Sequence, residues 1–153
     1  MLNRIHHTAI ICSNYTISKH FYTEILGLEI IKEHYRVDRD SYKLDLGLNG
    51  NYIIELFSFP DPPKRLSFPE SCGLRHLAFE VDNIETIIDK LKSENLSIQP
   101  ISLAFEVDNI ETIIDKLKSE NLSIQPIRID EYTGKKFTFF FDPDDLPIEL
   151  YEK

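Results

Sequence analysis

The sequence predicts an α+β fold in which two βαβββ modules follow one another along a chain of 153 residues. Strand-like and helix-like segments occur in the same order in both halves, and a polar, Pro-rich segment separates the halves. The predicted modules cover residues 1–59 and 76–153, with a linker at 60–75. An internal repeat adds one extra strand–helix segment to the second module.

The first module opens with an apolar strand, HHTAIIC. Ser13 or Asn14 is expected to cap the helix that follows, and Gly27 is expected to end it. Three strands complete the module, with Asn49-Gly50 as a hairpin turn between the last two. Their sequences are LEIIKEHYR, SYKLDLGL and YIIELFSF.

The second module repeats this order. RHLAFEV reads as its first strand, and Asp82 and Glu85 have the spacing of a capping box before an amphipathic helix. The remaining strands are SIQPI, KKFTFFF and PIELYE, the last of them after the turn FDPDD.

The stretch LAFEVDNIETIIDKLKSENLSIQPI occurs twice without a change, at 77–101 and at 103–127. Identity over 25 residues indicates a recent tandem duplication, an engineered one, or an assembly error. His76 precedes copy one, whereas Ser102 precedes copy two. We therefore expect copy one to supply the strand next to His76. The other copy would be looped out, added at an edge or exchanged between chains.

The composition of the chain limits the kinds of partner that it is expected to bind. A net charge of −9 argues against nucleic acid and against an anionic membrane surface. No apolar run is long enough to span a bilayer, and no signal-peptide segment is evident. Two cysteines are too few for a disulfide framework, so they are expected to be reduced thiols. These features predict a cytoplasmic protein.

Four polar residues lie inside otherwise apolar strands: His7, Glu55, His76 and Glu149. Each module contributes one His and one Glu, at matching positions once one repeat copy is set aside. A lone His in a strand is usually a hydrogen-bonded core residue, and a lone Glu near a strand end is usually solvated. Two matched pairs favour a metal site, because a divalent cation offsets the cost of placing carboxylates among apolar side chains.

Two imidazoles and two carboxylates suit a divalent ion such as Zn, Ni, Mn, Fe or Co, and ligand identity alone does not choose between these. His6 is expected to point to the face opposite His7. Four cations could hold an anionic substrate or be plain surface charges: Arg36, Arg39, Lys43 and Arg75. Of these, Arg75 is expected to point away from the face of His76.

Four stretches together resemble the vicinal oxygen chelate superfamily, and most closely its small bacterial glyoxalase I-like metalloproteins. They are IHHTAIICSNYTISKHFYTEILGLEI, NGNYIIELFSFP, CGLRHLAFEVDNI and YTGKKFTFFFDPDDLPIELYE. The resemblance implies that the paired modules curl into a half-barrel around a metal. It also implies that His7, Glu55, His76 and Glu149 match four metal ligands, of which other branches keep only three, lacking Glu55. Asp145 departs from the Gly that is usual in the DPDG turn.

The resemblance further implies a metal-dependent lyase or isomerase acting on a small carbonyl or hemithioacetal substrate, through an enediolate at the metal. Glu149 is the first choice for the catalytic base and Glu55 the second. A homodimer is expected. The alternatives are a metal-dependent dioxygenase of the same superfamily, a non-catalytic binder of a small molecule such as an antibiotic, and a duplication variant with impaired activity.

Overall fold

The structure is a computed structural model that describes residues 2–66, 69, 72–93 and 125–153. Its contacts divide the chain into two compact units. The first unit is Met1–Pro69 with Asp142–Asp145, and the second unit is Glu70–Phe141 with Leu146–Lys153. The strands are β1 Thr8–Cys12, β2 Glu29–Arg36, β3 Ser41–Leu48, β4 Asn51–Ser58, β5 Leu77–Val81, β6 Arg128–Ile129, β7 Lys136–Phe141 and β8 Pro147–Glu152. The α-helices are α1 Tyr15–His20 and α2 Ile84–Ser93.

The first unit is a four-stranded mixed sheet in the order β1-β4-β3-β2. β1 runs parallel to β4, and the other neighbours are antiparallel. Alternate residues of the sheet face the helical segment and form the core, in which Leu44, Ile54 and Leu56 are essentially inaccessible to solvent. The opposite face carries Lys43, Asp45 and Glu55.

The helix of the first unit is interrupted. Asn14 caps it by accepting a hydrogen bond from the Ile17 N–H at 3.1 Å, as one of the two expected caps. After α1 the chain continues as a π-helical segment, Phe21–Ile25, where one regular helix was predicted. Gly27 then takes a φ of +78°, a conformation that ends helices and suits glycine.

The second unit repeats the first, with the sheet order β5-β8-β7-β6 and β5 parallel to β8. Its core contains Ile84, Leu91, Phe140 and Ile148, all almost completely buried. Both units thus have the order βαβββ, and the predicted α+β class is confirmed.

Two sequence predictions for the second unit need correction. Asn83, rather than Asp82, caps α2, since its Oδ1 accepts a hydrogen bond from the Thr86 N–H at 2.8 Å. The third-strand prediction SIQPI is displaced: residues 125–127 are not in a strand, and β6 is the short segment that follows them. The copy of SIQPI at 97–101 lies outside the described residues.

The repeat is represented in the described residues mainly by copy one, which supplies both β5 and α2. The strand that follows His76 therefore comes from copy one, as predicted. Residues 103–124 of copy two lie outside the described residues.

The turn at Asp142–Asp145 belongs to the first unit. Tyr22, which is fully buried, donates its hydroxyl to Asp142 Oδ2 at 2.7 Å, and the Ser13 N–H donates to the carboxylate of Asp144. Asp145 has a φ of +63°, so this position does adopt the left-handed conformation that Gly would favour.

Among the described helices, none combines the length and apolar character needed to cross a membrane. Cys12 is buried and Cys72 is exposed, and both are free thiols.

Candidate metal-binding site

The first unit brings His7 and Glu55 together. Ala9 of β1 is the register partner of Glu55 in β4, and His7 lies two residues before Ala9. Two residues along a strand return to the same face, so the imidazole reaches the carboxylate. His7 Nε2 lies 3.1 Å from Glu55 Oε2.

The second unit builds the same pair from equivalent positions. Ala78 of β5 is the register partner of Glu149 in β8, and His76 lies two residues before Ala78. His76 Nε2 lies 3.2 Å from Glu149 Oε2.

The two pairs also match in solvent access. The side chains of His7 and His76 are 31% and 33% exposed, and those of Glu55 and Glu149 are each 15% exposed. Each pair therefore lies at a surface that a small ion can reach while the carboxylate is mostly covered.

The geometry of each pair suits shared coordination. Two N or O ligands bound at about 2.1 Å to one cation, at a right angle, lie about 3 Å apart. The observed separations of 3.1 and 3.2 Å fit this spacing. Within the described residues, no three His, Cys, Asp or Glu side chains are grouped closely enough to form one metal site.

Glu55 has further polar neighbours. Lys43 Nζ donates to Glu55 Oε1 and to Asp45 Oδ1, each at 2.6 Å. The Tyr52 hydroxyl donates to Asp45 Oδ1 at 3.1 Å. Partial burial opposes ionisation of Glu55, but hydrogen bonds from Lys43 and Tyr52 outweigh it, so the pKa of Glu55 lies below its usual value.

The same contacts act on the partners of Glu55. The pKa of Lys43 is raised by its hydrogen bonds to Asp45 and then Glu55. The pKa of Tyr52 is raised well above its ordinary value, by burial first and then by the two neighbouring carboxylates. The Lys43 ammonium group thus lies between two acidic side chains, those of Asp45 and Glu55.

His6 does not behave as predicted. Its Nδ1 lies 2.8 Å from His7 Nδ1, and its ring packs edge-on against Tyr52. The prediction that His6 points away from His7 is therefore wrong, since the two rings lie within hydrogen-bond distance of each other. His7 itself stacks on Tyr52, with ring centres 5.0 Å apart.

The surroundings of Glu149 are more apolar. Its register partner on β7 is Phe139, whereas the partner of Glu55 on β3 is Asp45. The ring of Phe139 packs edge-on against His76, with centres 5.4 Å apart. Among the described residues, His76 is the one ionisable group within ion-pair distance of Glu149.

The four cations named from the sequence fall in different settings. The guanidinium of Arg36 lies over the rings of Phe57 and Phe59, and Lys43 is the ion-pair partner of Glu55. Arg39 lies 3.9 Å from Asp38, and both side chains are largely exposed. Of Arg36, Arg39 and Lys43, only Lys43 is thus in contact with a predicted ligand.

Sequence reasoning missed Asp45, Tyr52 and Arg128. Asp45 and Tyr52 could have been found from the strand alternation that places them beside Glu55, once the hairpin register was known. Arg128 follows directly after copy two and carries no pattern of its own in the sequence.

Comparison with known proteins bears on both units. The family model described as Glyoxalase/Bleomycin resistance protein/Dioxygenase superfamily matches residues 4–101 and 98–150. The first match ends at the last residue of copy one, so the repeat divides the match into two parts.

The chain is similar to the uncharacterized protein YwkD of Bacillus subtilis, with 50% identity over 153 residues, covering 100% of this chain and 99% of the relative. The crystal structure of a glyoxalase family protein from Enterococcus faecalis is 40% identical, covers 97% of both chains and superposes with a TM-score of 0.71. The fosfomycin resistance protein FosX of Listeria monocytogenes, solved with Mn(II) and sulfate, shares the fold alone. It is 13% identical, covers 100% of this chain and 94% of that one, and has a TM-score of 0.64.

Proposed function

Because the chain belongs to the glyoxalase/bleomycin resistance protein/dioxygenase superfamily, we propose that it is a metal-dependent lyase or isomerase of glyoxalase type. The observation that carries the proposal is the recurrence of one His–Glu pair, with nearly the same spacing and exposure, at equivalent positions of both units.

The two pairs would hold one divalent metal ion, with His7, Glu55, His76 and Glu149 as its ligands. Mixed N/O ligation suits Zn, Ni, Mn, Fe or Co, and the related FosX was solved with Mn(II). When bound, such an ion supplies positive charge next to a substrate oxygen on which negative charge develops. Ligands from one copy or from two copies of the chain would give the same ratio of metal to protein.

Glu149 is the better choice for the base that removes a proton from the carbon next to a carbonyl. Its neighbours are His76 and the ring of Phe139, so no ammonium ion competes for its oxygens among the described residues. Glu55 is less suited, since Lys43 already donates to one of its oxygens at 2.6 Å.

The proposed activity also implies a substrate class, an oligomeric state and a compartment. The substrate would be a small carbonyl compound or hemithioacetal, and the protein would work as a homodimer. Two free thiols fit a reducing compartment such as the cytoplasm.

The test is hydrogen exchange at the substrate carbon. Metal-loaded protein is mixed in D₂O with a panel of 2-oxoaldehyde hemithioacetals and small hydroxyketones, and loss of the C–H signal is followed by NMR. We expect exchange with wild type and a reduction of at least about 100-fold in Glu149→Gln, the size typical of losing a general base. Glu131→Gln, which changes an exposed carboxylate, is the control.

Full exchange in Glu149→Gln with metal still bound would remove the base assignment. Oxygen uptake with an aromatic diol, in place of exchange, would assign the dioxygenase alternative instead.

A further inference from the structure

Arg128 lies on the sheet face that carries the second His–Glu pair. It is the register partner of Phe137 on β7, and Phe139 on the same strand is the partner of Glu149. Residues two apart on a strand share a face, so Arg128, both phenylalanines and Glu149 lie on one side of the sheet.

Aromatic rings hold the guanidinium in place. Arg128 Cζ lies 4.7 Å from the ring centre of Phe137 and 5.4 Å from that of Phe139. The ring centre of Phe139 is also 5.4 Å from that of His76. One phenyl ring therefore separates the guanidinium from the imidazole that we assign as a metal ligand.

The guanidinium has unused hydrogen-bond donors. One Arg128 Nη2 hydrogen bond goes to Gln125 Oε1 at 3.1 Å, while Nε is buried without a hydrogen bond to any described residue. No carboxylate of the described residues lies within ion-pair distance, although the chain has 26 acidic residues. A buried N–H donor without a partner costs free energy, and a guanidinium stacked on rings is well prepared to bind a planar or tetrahedral oxyanion.

Arg36 has the same arrangement in the first unit, but its Nε has a hydrogen-bond partner. Its Cζ lies 4.9 and 5.5 Å from the rings of Phe57 and Phe59, almost as in the second unit. Both its Nε and Nη2, however, donate to Ser41 Oγ. The two units thus share an arginine over two rings, and Arg128 is the one whose Nε is buried without a hydrogen bond to any described residue.

We propose that Arg128 binds a carboxylate or phosphoryl group of the substrate, which would make the substrate class small anionic carbonyl compounds. This inference rests on the proposed function, since the other end of the substrate would reach the metal held by His76 and Glu149. Arg128 would be a specificity-determining residue rather than a proton-transfer group.

The experiment compares two hydroxamates of equal length by calorimetry on the metal-loaded full chain. Butyrohydroxamate binds metals and ends in an uncharged methyl group. Succinate monohydroxamate has a carboxylate in place of that methyl group. We expect the anionic probe to bind wild type about 10- to 100-fold more tightly than the neutral one, as for hydrogen bonds to a charged group. The phosphonate analogue of the anionic probe then distinguishes a phosphoryl from a carboxylate preference.

The variants locate the effect. Arg128→Met keeps the apolar stem over the rings and should abolish the preference for the anionic probe, while Arg128→Lys should restore part of it. Arg36→Met should leave the preference intact. Equal binding of both probes to wild type, or a preference that survives in Arg128→Met, would overturn the inference and leave the metal centre standing.

Failure of the proposed metal centre would look different, because then neither hydroxamate would bind. In that case the Arg128 Nε–H signal is followed by NMR while methylphosphonate is added to metal-free protein. A shift of this signal, absent for Arg36, is expected. An unmoved signal would overturn the role of Arg128 independently of the metal.

Discussion

Glu55 and Glu149 occupy equivalent positions in the two units but have different neighbours. Both follow the same rule of strand alternation and both meet a histidine, at 3.1 and 3.2 Å. The residue across the antiparallel ladder differs: Asp45, with its partner Lys43, stands beside one glutamate, and Phe139 beside the other. The first glutamate is thereby held in a charged cluster, and the second has an aromatic ring in the equivalent place.

Tyr22 provides a test of buried polar pairing. Its hydroxyl donates to Asp142 Oδ2 at 2.7 Å in a setting where both residues are almost fully buried. Tyr22→Phe removes the donor and leaves a buried carboxylate short of a partner, so we expect the free energy of unfolding to fall by about 1–3 kcal/mol. Urea unfolding measures this change.

The control for that change is Tyr132→Phe, because Tyr132 is 97% exposed and its stability effect should be close to zero. Equal losses in the two variants would contradict the role given to the Tyr22–Asp142 hydrogen bond.

The cysteines give a pH-dependent prediction. Burial raises the pKa of Cys12 to about 11, so its thiol stays protonated and unreactive through neutral and mildly basic pH. Native protein treated with iodoacetamide at pH 8 should gain one carbamidomethyl group, at the exposed Cys72. Denatured protein should gain two, and mass spectrometry separates the cases. Rapid labelling of Cys12 in the native state would contradict its burial.

Among the elements, helix α2 shows why a cap could be mispredicted by one residue. Asp82 and Glu85 have capping-box spacing, but Asn83 is also a strong cap and lies directly before the first helical residue. The structure uses Asn83, whose Oδ1 receives the Thr86 N–H, and leaves the Asp82 side chain 92% exposed.

The cap can be tested with the repeat as its own control. Asn83→Ala should lower the free energy of unfolding by about 1 kcal/mol, the usual cost of losing an Asn cap. Asn109→Ala makes the same change in the identical sequence context of copy two. We expect it to lower the free energy of unfolding by less, and the same holds for Asp82→Ala. Thermal unfolding ranks the three variants. A larger loss for Asn109→Ala would mean that copy two supplies the helix beside the sheet.

Elements with a strong local sequence pattern could be predicted. Elements whose position depends on pairing with another strand could not. The hairpin at Asn49-Gly50 followed from its sequence, and both residues have the positive φ, +51° and +73°, that a two-residue turn of this kind requires. β6 was displaced from its predicted place because a two-residue edge strand is defined by its ladder with β7, which the sequence does not encode locally. The His–Glu pairs were predictable because strand alternation sets their face. The Lys43 cluster and Arg128 depend on cross-strand register.

For the whole molecule, the repeat is the feature that family membership leaves unexplained. The family model matches 4–101 and 98–150 in two parts, as expected if one strand–helix segment of an ordinary second module occurs twice. The superfamily inferred from the sequence is confirmed, and the specific reaction stays a prediction.

Deletion of 77–102 should restore one uninterrupted module. His76 would then be followed directly by the same sequence that follows it now, because the two copies are identical. We expect the deletion variant to bind metal as wild type does and to unfold at an equal or higher temperature, since one copy is enough to supply the described β5 and α2. Loss of metal binding on deletion would mean that the extra copy is required for the site.

If the two His–Glu pairs form a metal centre, as proposed, the purified chain should retain a bound divalent ion. The purified chain is incubated with mixed divalent ions, dialysed and measured by elemental analysis, beside His76→Gln and the control His34→Gln, which alters an exposed histidine of β2. We expect about one ion per chain for wild type and the control, and a large loss for His76→Gln. Wild type without bound metal, or full metal content in His76→Gln, would contradict it.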